Sequence, residues 1–408
     1  RRVPVDISEE RIKACVEKIA EAKSLATRGK CPPPLEDDPR CLYCSAYPIC
    51  LPRESAFWRS PNDGNVAIKR APRPDNDEGE ILVVQTPGAT VGRRGGEITV
   101  SLNGEIVRKL PSRQLRAVYL YGAVQLTAVA AQTFLELGID VSFFAPSGRF
   151  LGLLRGLPAS GVDARRGQYR LFDDERTCLG IAREIIRAKI HNQRVMLMRN
   201  GDAPESLLAQ LAHLKDRAGK ATGMKELLGV EGMAAALYFE QFNGMLKVND
   251  RRIFEFHARN RRPPRDPVNA LLSMGYSILC KEVTGICHAV GLDPFLGVMH
   301  QPRYGRPALA LDLMEEFRPL IADSVAISMV NRSEVSRDDF IISAAGVSLN
   351  EHGRRAFWES YCRRMEMEVA HPHFGYRMPY RRMLEVQARQ MWRFVRGEAD
   401  KYIGFTTR

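Results

Sequence analysis

A chain of 408 residues, 45% of them apolar, has material for two or three packed cores and is too hydrophobic to be a disordered polymer. With 60 Lys and Arg against 48 Asp and Glu, the formal net charge is +12, and such an excess favours a polyanion because each neutralised phosphate releases condensed counterions. No apolar run reaches bilayer length and no lipidation signal closes the sequence, so nucleic acid is the expected partner and a membrane is not.

Residues 9–26 read as a helix close to Arg1, which is not an initiator Met, so further residues are expected upstream. No secretory signal precedes Arg1, and the nine cysteines are expected as reduced thiols in a cytoplasm. Cys41, Cys44 and Cys50 crowd a short proline-flanked loop, with Cys31 upstream. Buried structural cysteines have no reason to cluster in this way, whereas a metal or a metal cluster requires it. A closed zinc site would recruit Cys31 as its fourth ligand. This cysteine-rich segment spans 1–55, and residues 56–78, polar and proline-bearing without periodicity, read as a linker.

Residues 81–84, 98–102, 105–110, 118–121 and 141–144 carry the β-branched or alternating pattern of strands, and Asn103-Gly104 is a strong hairpin turn between the second and third. A helix is expected over 124–137, closed by Gly138, which completes a β-rich domain over 79–160. Beyond a loop at 158–167 the apolar period becomes 3.6, giving an α-helical domain over 168–408. Ile181, Ile185, Ala188 and Val195 mark one helix, Met233, Leu237 and Phe242 another, and 271–290 and 307–321 two more, with a hairpin at 340–342 and 346–349. A last helix over 380–396 turns Leu384, Met391 and Val395 inward and leaves Arg381, Arg382, Arg389, Arg393 and Arg396 as a solvated or phosphate-tracking face. The fold class is therefore α+β, a small β-rich domain followed by a mostly helical one.

Two places carry chemistry in the helical domain. Pro307 suits the first position of a helix on which Asp312 and Glu315 are neighbours, while Leu309, Leu313, Phe317, Leu320 and Ile321 form an opposite stripe that packs. His300 just upstream, with Arg303 and Arg306 between, suits a divalent cation beside a phosphate. Glu316 lies within the same turn, so spacing leaves the choice between Glu315 and Glu316 open. The second place is Glu231, set among Gly229, Gly232, Ala234, Ala235 and Ala236, where small residues would let neighbouring helices close in and leave a partly buried carboxylate in need of a cation. Mixed imidazole and carboxylate ligation suits Mg2+ or Mn2+ better than structural zinc.

Residues from about 80 to 408 resemble the CRISPR-associated Cas-one integrases. The resemblance runs through the sheet domain, Lys189-Ile190-His191-Asn192-Gln193, the Glu231 segment, Asp266-Pro267-Val268-Asn269-Ala270-Leu271-Leu272 and the stretch 300–318. It implies Glu231, His300 and Glu315 as catalytic residues and ligands of Mg2+ or Mn2+, with Asp312 as a supporting acid. The implied activity is attack of the 3′-hydroxyl of incoming DNA on a repeat phosphodiester during spacer acquisition, with DNA endonuclease activity. The implied partners are a second copy of the integrase domain and a Cas-two dimer bridging two such homodimers. Lys189, Arg259, Arg262, Arg303 and Arg306 are the basic candidates for contact with double-stranded DNA. Residues 32–52 are similar to the C-terminal end of the Cas-four nucleases, whose cysteines at the positions of Cys41, Cys44 and Cys50, plus one from further upstream, hold a four-iron, four-sulfur cluster. The fourth ligand and the nuclease motifs have no match, so a natural fusion is expected, with an exonuclease that trims the motif-bearing prespacer end lying largely upstream. The contrasting expectation is a non-catalytic DNA-binding assembly module carrying a zinc or iron-sulfur knuckle.

Overall fold

The computed structural model describes the chain apart from residues 1–6, 29–32, 36–37, 45, 60–78, 147, 157–160, 248–252, 261–262, 301–302, 345 and 408. The chain divides into two compact units, Arg1–Phe57 and Trp58–Arg408. The first holds helix α1 (Glu9–Arg28), a 3-10 turn at Pro39–Tyr43 and the short helix α2 (Tyr47–Cys50), and α3 (Pro52–Arg59) runs across position 56, where the linker was expected to begin.

The second unit opens with β1 (Glu80–Val84), β2 (Thr90–Arg94), β3 (Glu97–Leu102), β4 (Glu105–Pro111), β5 (Leu115–Tyr121), β6 (Gln125–Leu126), helix α4 (Ala128–Leu137), β7 (Asp140–Phe144) and β8 (Phe150–Leu154). They build two four-stranded sheets, β1-β5-β7-β8 and β4-β3-β2-β6. Val91, Ile98, Val118, Phe134 and Val141 fill the core between them. The expected hairpin is β3–β4, and Asn103 and Gly104 both adopt positive φ, 52° and 86°, as the tight primed turn demands. Helix α4 starts later than expected because Thr127 caps it through Ala130 N–H, leaving Gln125–Leu126 free to pair with β2.

The helical part comprises α5 (Val162–Phe172), α6 (Glu175–Asn200), α7 (Glu205–Lys220), α8 (Met224–Glu240), α9 (Pro267–Val290), α10 (Ala308–Leu313), α11 (Ser324–Asn331), the hairpin β9 (Phe340–Ser343) with β10 (Gly346–Leu349), α12 (Glu351–Glu366), the hairpin β11 (Glu368–Ala370) with β12 (Arg377–Pro379), and α13 (Tyr380–Val395). Part of the expected loop at 158–167 is thus helix. Two faces of the central helix α9 do different work. One joins the sheet domain, where Lys281 Nζ donates to Tyr119 Oη (2.8 Å), Tyr119 donates to Glu282 Oε1 (2.5 Å), and the neighbouring Lys281 and Arg381 outweigh burial to hold the Glu282 carboxyl at about 2. The other, through Tyr276, supports the site described below.

The arginine face of α13 differs from the expectation. Arg381, Arg382 and Arg393 are buried, and Arg381 pairs with Glu366 (3.1 Å), Arg382 with Glu385, and Arg393 with Glu398 (2.9 Å). Arg389 and Arg396 reach the same Glu385 and Glu398 at 2.7 Å each. Internal carboxylates, not solvent or phosphates, neutralise this face.

Candidate active site

The expected helix over 307–321 is broken into three pieces. Pro307 caps α10, a 3-10 turn follows at Met314–Glu316, and a π turn at Pro319–Asp323 leads into α11. Irregular helix of this kind is common at functional sites because it re-aims side chains that a regular helix would stack on one face. Here it sends Glu315 and Glu316 in opposite directions. The apolar stripe is buried as expected, but Asp312 and Glu315 are buried as well, 0% and 5% exposed, so the helix has no solvent face at these positions.

Glu315 meets Lys189 of α6, whose Nζ stands 2.8 Å from Oε2, and Arg318, whose Nη2 stands 3.1 Å from Oε1. The same Lys189 ammonium pairs with Glu231 of α8. Burial pushes the Glu315 carboxyl upward, but Arg318, Lys189 and His300 outweigh it and hold it at about 2. Burial likewise works against the charge of Lys189, and Glu315 and Glu231 reverse the sign, leaving the ammonium more firmly protonated than usual. The Lys189 contact to Glu315 Oε2 is close enough for an ion pair but not aligned as a hydrogen bond, and that oxygen is buried without a hydrogen-bond donor.

His300 lies in the loop between α9 and α10, and Asp312 builds that loop. Its Oδ2 accepts from the backbone N–H of Val298 (2.6 Å) and Met299 (3.1 Å), and its Oδ1 accepts from His300 N–H (3.2 Å) and lies 2.5 Å from His300 Nδ1. With Nδ1 held on a carboxylate, Nε2 is the nitrogen left for a ligand. Gly297 permits this packing, since a Cβ there would stand 2.5 Å from Asp312 Oδ2.

Glu316 faces away, toward a strap formed by residues 402–407. Tyr402 Oη donates to Glu316 Oε1 (2.6 Å) and Phe405 N–H donates to Oε2 (2.8 Å). Asn192 of α6 donates to the Glu316 and Phe405 carbonyls (2.8 and 2.9 Å) and accepts from Thr407 N–H (2.9 Å), while Phe405 stacks on Phe317 at 5.2 Å. Burial pushes the Glu316 carboxyl up to about 8. The geometry thus separates the two glutamates that spacing could not: Glu315 shares a cation with Glu231, and Glu316 anchors the strap.

The donor types, more than their present spacing, suit a divalent cation. A buried Glu315 oxygen with an ion pair to Lys189 but no aligned hydrogen bond, a Glu231 carboxylate whose side chain is 25% exposed, and an oriented imidazole offer mixed nitrogen and oxygen ligation. Among the described residues no three His, Cys, Asp or Glu side chains stand close enough to hold an ion as they are, and Lys189 lies between the two glutamates.

The sequence profile of CRISPR associated protein Cas1 matches residues 82–363. The chain belongs to the Cas1 family. It is 43% identical over 419 residues to a CRISPR-associated exonuclease Cas4/endonuclease Cas1 fusion of Geobacter sulfurreducens, covering 100% of this chain and 74% of that protein. A chain of the Cas6-RT-Cas1–Cas2 complex is 27% identical and superposes with a TM-score of 0.69, over 83% of this chain and 37% of that one. A Cas1 protein from Thermotoga maritima, 22% identical, shares the fold with a TM-score of 0.69, over 81% of this chain and 100% of its own.

In this Cas1-family chain the basic candidates fall in different environments. Lys189 is inside the carboxylate cluster, 6% exposed. Arg259 is half-buried, donates to Asn269 Oδ1 (2.6 Å) and Ser273 Oγ (3.1 Å), and lies over the Tyr276 ring. Arg303 is exposed and Arg306 half-exposed, bracketing a turn with Arg306 N–H on the Arg303 carbonyl (2.9 Å), and Arg262 lies outside the described residues. The expectation of tight helix packing around Glu231 is corrected, because a Cβ on Gly229 or Gly232 would meet nothing. Gly232, Ala235 and Ala236 instead line an open groove of about 580 Å³ with Phe239, His257 and Arg259, and Met233, expected in the core, is exposed. Sequence reasoning missed Lys189 as a buried counter-charge, Arg318, Gly297 and the strap. The available signal was the polar trio Lys189, Asn192 and Gln193, all buried on a helix otherwise packed by Ile185, Ala188 and Ile190.

Behind Arg318 the support continues. The guanidinium lies over Tyr276 at 4.9 Å, and Tyr276 and Tyr238 donate to buried Asp323 at 2.6 and 3.0 Å, Tyr238 lying on the same helix as Glu231. Burial lifts the Asp323 carboxyl from 3.8 to about 6. A carboxyl whose folded pKa exceeds its unfolded one stabilises the fold least when ionised, so this contribution is lost as pH rises from 3.8 through about 6. Asp323→Asn is therefore expected to make the change in stability from pH 4 to pH 7 more favourable than in the unaltered protein, by roughly 2–3 kcal/mol. Parallel thermal melts of the two proteins check it, and superimposable pH profiles would refute it.

Proposed function

We propose that this chain is the integrase part of a CRISPR adaptation enzyme. The 3′-hydroxyl of double-stranded prespacer DNA loses its proton and attacks a phosphodiester of the CRISPR repeat, displacing the repeat's own 3′-oxygen as a hydroxyl, and DNA is nicked when water replaces the attacking hydroxyl. The observation that carries this reading is the pairing of Glu231 and Glu315 across one buried cation, beside a His300 ring fixed by Asp312, in a Cas1-family chain. Glu231, Glu315 and His300 Nε2 would hold Mg2+ or Mn2+, which when bound lowers the pKa of the attacking hydroxyl and stabilises charge on the phosphate. Asp312 fixes the tautomer and direction of His300, Arg318 fixes Glu315, and exposed Arg303 with half-exposed Arg306 holds the DNA backbone in register. The name of the Cas6-RT-Cas1–Cas2 complex supports Cas2 as a partner, and the proposal takes it as a dimer bridging integrase homodimers. Among the described residues no helix is long and apolar enough to cross a membrane; the proposed work on the CRISPR array places the protein in the cytoplasm. The test is insertion into a plasmid bearing a repeat, with Cas2 and Mg2+ or Mn2+: products are expected from prespacers with free 3′-hydroxyls and none from 3′-dideoxy prespacers. No insertion under any of these conditions sinks the integrase reading.

The cysteine segment belongs, in this proposal, to a fused Cas4-type exonuclease that processes the prespacer end, as the name of the Geobacter sulfurreducens relative supports. None of Cys41, Cys44 and Cys50 is in a disulfide; Cys41 lies in a 3-10 turn, Cys44 follows it with its N–H on the Cys41 carbonyl at 3.4 Å, and Cys50 ends the short helix α2. They suit three corners of a four-iron, four-sulfur cluster, the fourth thiolate coming from elsewhere. Anaerobically purified full-length protein is expected to be brown and to contain iron, and Cys44→Ala to lose both colour and iron. Zinc in place of iron in the unaltered protein refutes the cluster.

A further inference from the structure

We propose that Lys189 is a built-in competitor for the divalent cation, so that metal enters this pocket weakly until DNA phosphate arrives with it. The inference rests on the metal-site reading given above and adds a coupling to it. Two carboxylates, Glu231 and Glu315, face two cations, Lys189 and Arg318, inside a largely buried pocket. Arg318 is pinned on the Tyr276 ring and cannot leave without breaking the support behind it. Lys189 is the movable charge, a compact ammonium on a flexible four-carbon stem that touches both glutamates at once.

A divalent ion that binds Glu231 and Glu315 Oε2, the oxygens that Lys189 now contacts, adds two positive charges where these two carboxylates are already matched by Lys189 and Arg318. Desolvated like charges repel strongly, so the ion alone is disfavoured. A phosphodiester delivered to the same place restores the balance and offers the displaced ammonium a new acceptor. Metal and DNA then bind cooperatively, and by linkage each raises the affinity for the other by the same factor. The physical benefit is restraint: the site does not load fully with metal, and does not act on water or stray ends, until nucleic acid occupies it.

Mn2+ binding to the full-length protein, read by electron paramagnetic resonance of the free ion, tests this with and without a 3′-dideoxy duplex that cannot serve as nucleophile. The unaltered protein is expected to bind Mn2+ weakly alone and about tenfold more tightly or better with duplex. Lys189→Met is expected to bind Mn2+ about tenfold more tightly than the unaltered protein without DNA, and to gain less than about threefold when duplex is added. Lys189→Gln keeps hydrogen-bond donors without the charge and is expected to behave alike. Because removing Lys189 leaves two carboxylates facing one another, a second measurement is the melting midpoint, which Mn2+ should raise more in either variant than in the unaltered protein. Variants that bind Mn2+ no more tightly and gain no more stability from it overturn the proposal. His300→Ala separates the layers: tight, DNA-independent Mn2+ binding by the unaltered protein that His300→Ala abolishes overturns the coupling alone, whereas Mn2+ binding that survives His300→Ala overturns the metal site and the coupling with it.

Discussion

Glu231→Ala and His300→Ala are expected to lower prespacer insertion by about 10²- to 10³-fold or more while leaving DNA binding intact. Glu231 is the more accessible of the paired carboxylates, with 25% of its side chain exposed, and its removal leaves Lys189 still paired with Glu315. The fold should therefore tolerate the change, and the loss should appear in the chemical step. His300 contributes through Nε2, and Ala there leaves the Asp312 contacts to the backbone amides of Val298, Met299 and His300 in place. Gel assays of strand transfer beside electrophoretic binding measurements distinguish the two effects. Insertion within about tenfold of the unaltered protein in either variant would remove that residue from the site. Glu316→Ala should behave differently, lowering stability by freeing the strap, because its carboxylate never faces the Lys189 pocket.

Asp312→Ala is expected to be the most damaging single change to stability. One buried carboxylate accepts from three backbone amides and sits 2.5 Å from the His300 ring. Each buried donor left without an acceptor costs about 1–3 kcal/mol, so the sum is a large part of the roughly 5–15 kcal/mol that holds a domain folded. Asp312→Asn retains one carbonyl acceptor and should recover part of the stability, yet Mn2+ affinity should remain about 10- to 100-fold down because the imidazole loses its charged anchor. Thermal denaturation and Mn2+ titration of both variants read these outcomes. An unchanged melting midpoint for Asp312→Ala would mean that something other than this carboxylate holds the loop.

Much of this architecture is written locally. The Asn103-Gly104 turn, the Gly138 stop and the hairpin β9–β10 depend on a few adjacent residues, and each stands where the sequence predicted it. The short strands β2, β6, β8, β11 and β12 were missed because their partners, rather than their own composition, make them strands. The helix that breaks at Met314–Glu316 looked continuous because its apolar period is unbroken, although Pro319 has no N–H to give the Glu315 carbonyl and opens the π turn that follows. Lys189 read as a candidate for DNA because a lysine in a basic chain is ordinarily solvated. Its burial follows from two glutamates 42 and 126 positions away, which no local pattern reveals. Arg381 of α13 misled for the same reason, since Glu366 and Glu282, which take it up, lie outside that helix.

The strap has a consequence for the moment of synthesis. Asn192 and Glu316 are bound to one another's neighbourhood through Tyr402, Phe405 and Thr407, so α6, which carries Lys189, and the turn that carries Glu315 are tied together by residues made after both of them. Domains fold as they emerge, earlier parts first, and the sheet domain can be complete long before this tie exists. A nascent chain emerging from the ribosome therefore has its carboxylates but not their fixed spacing. Under the proposed function this order is protective, because the chain would stay inert until residues 402–407 are free to close it.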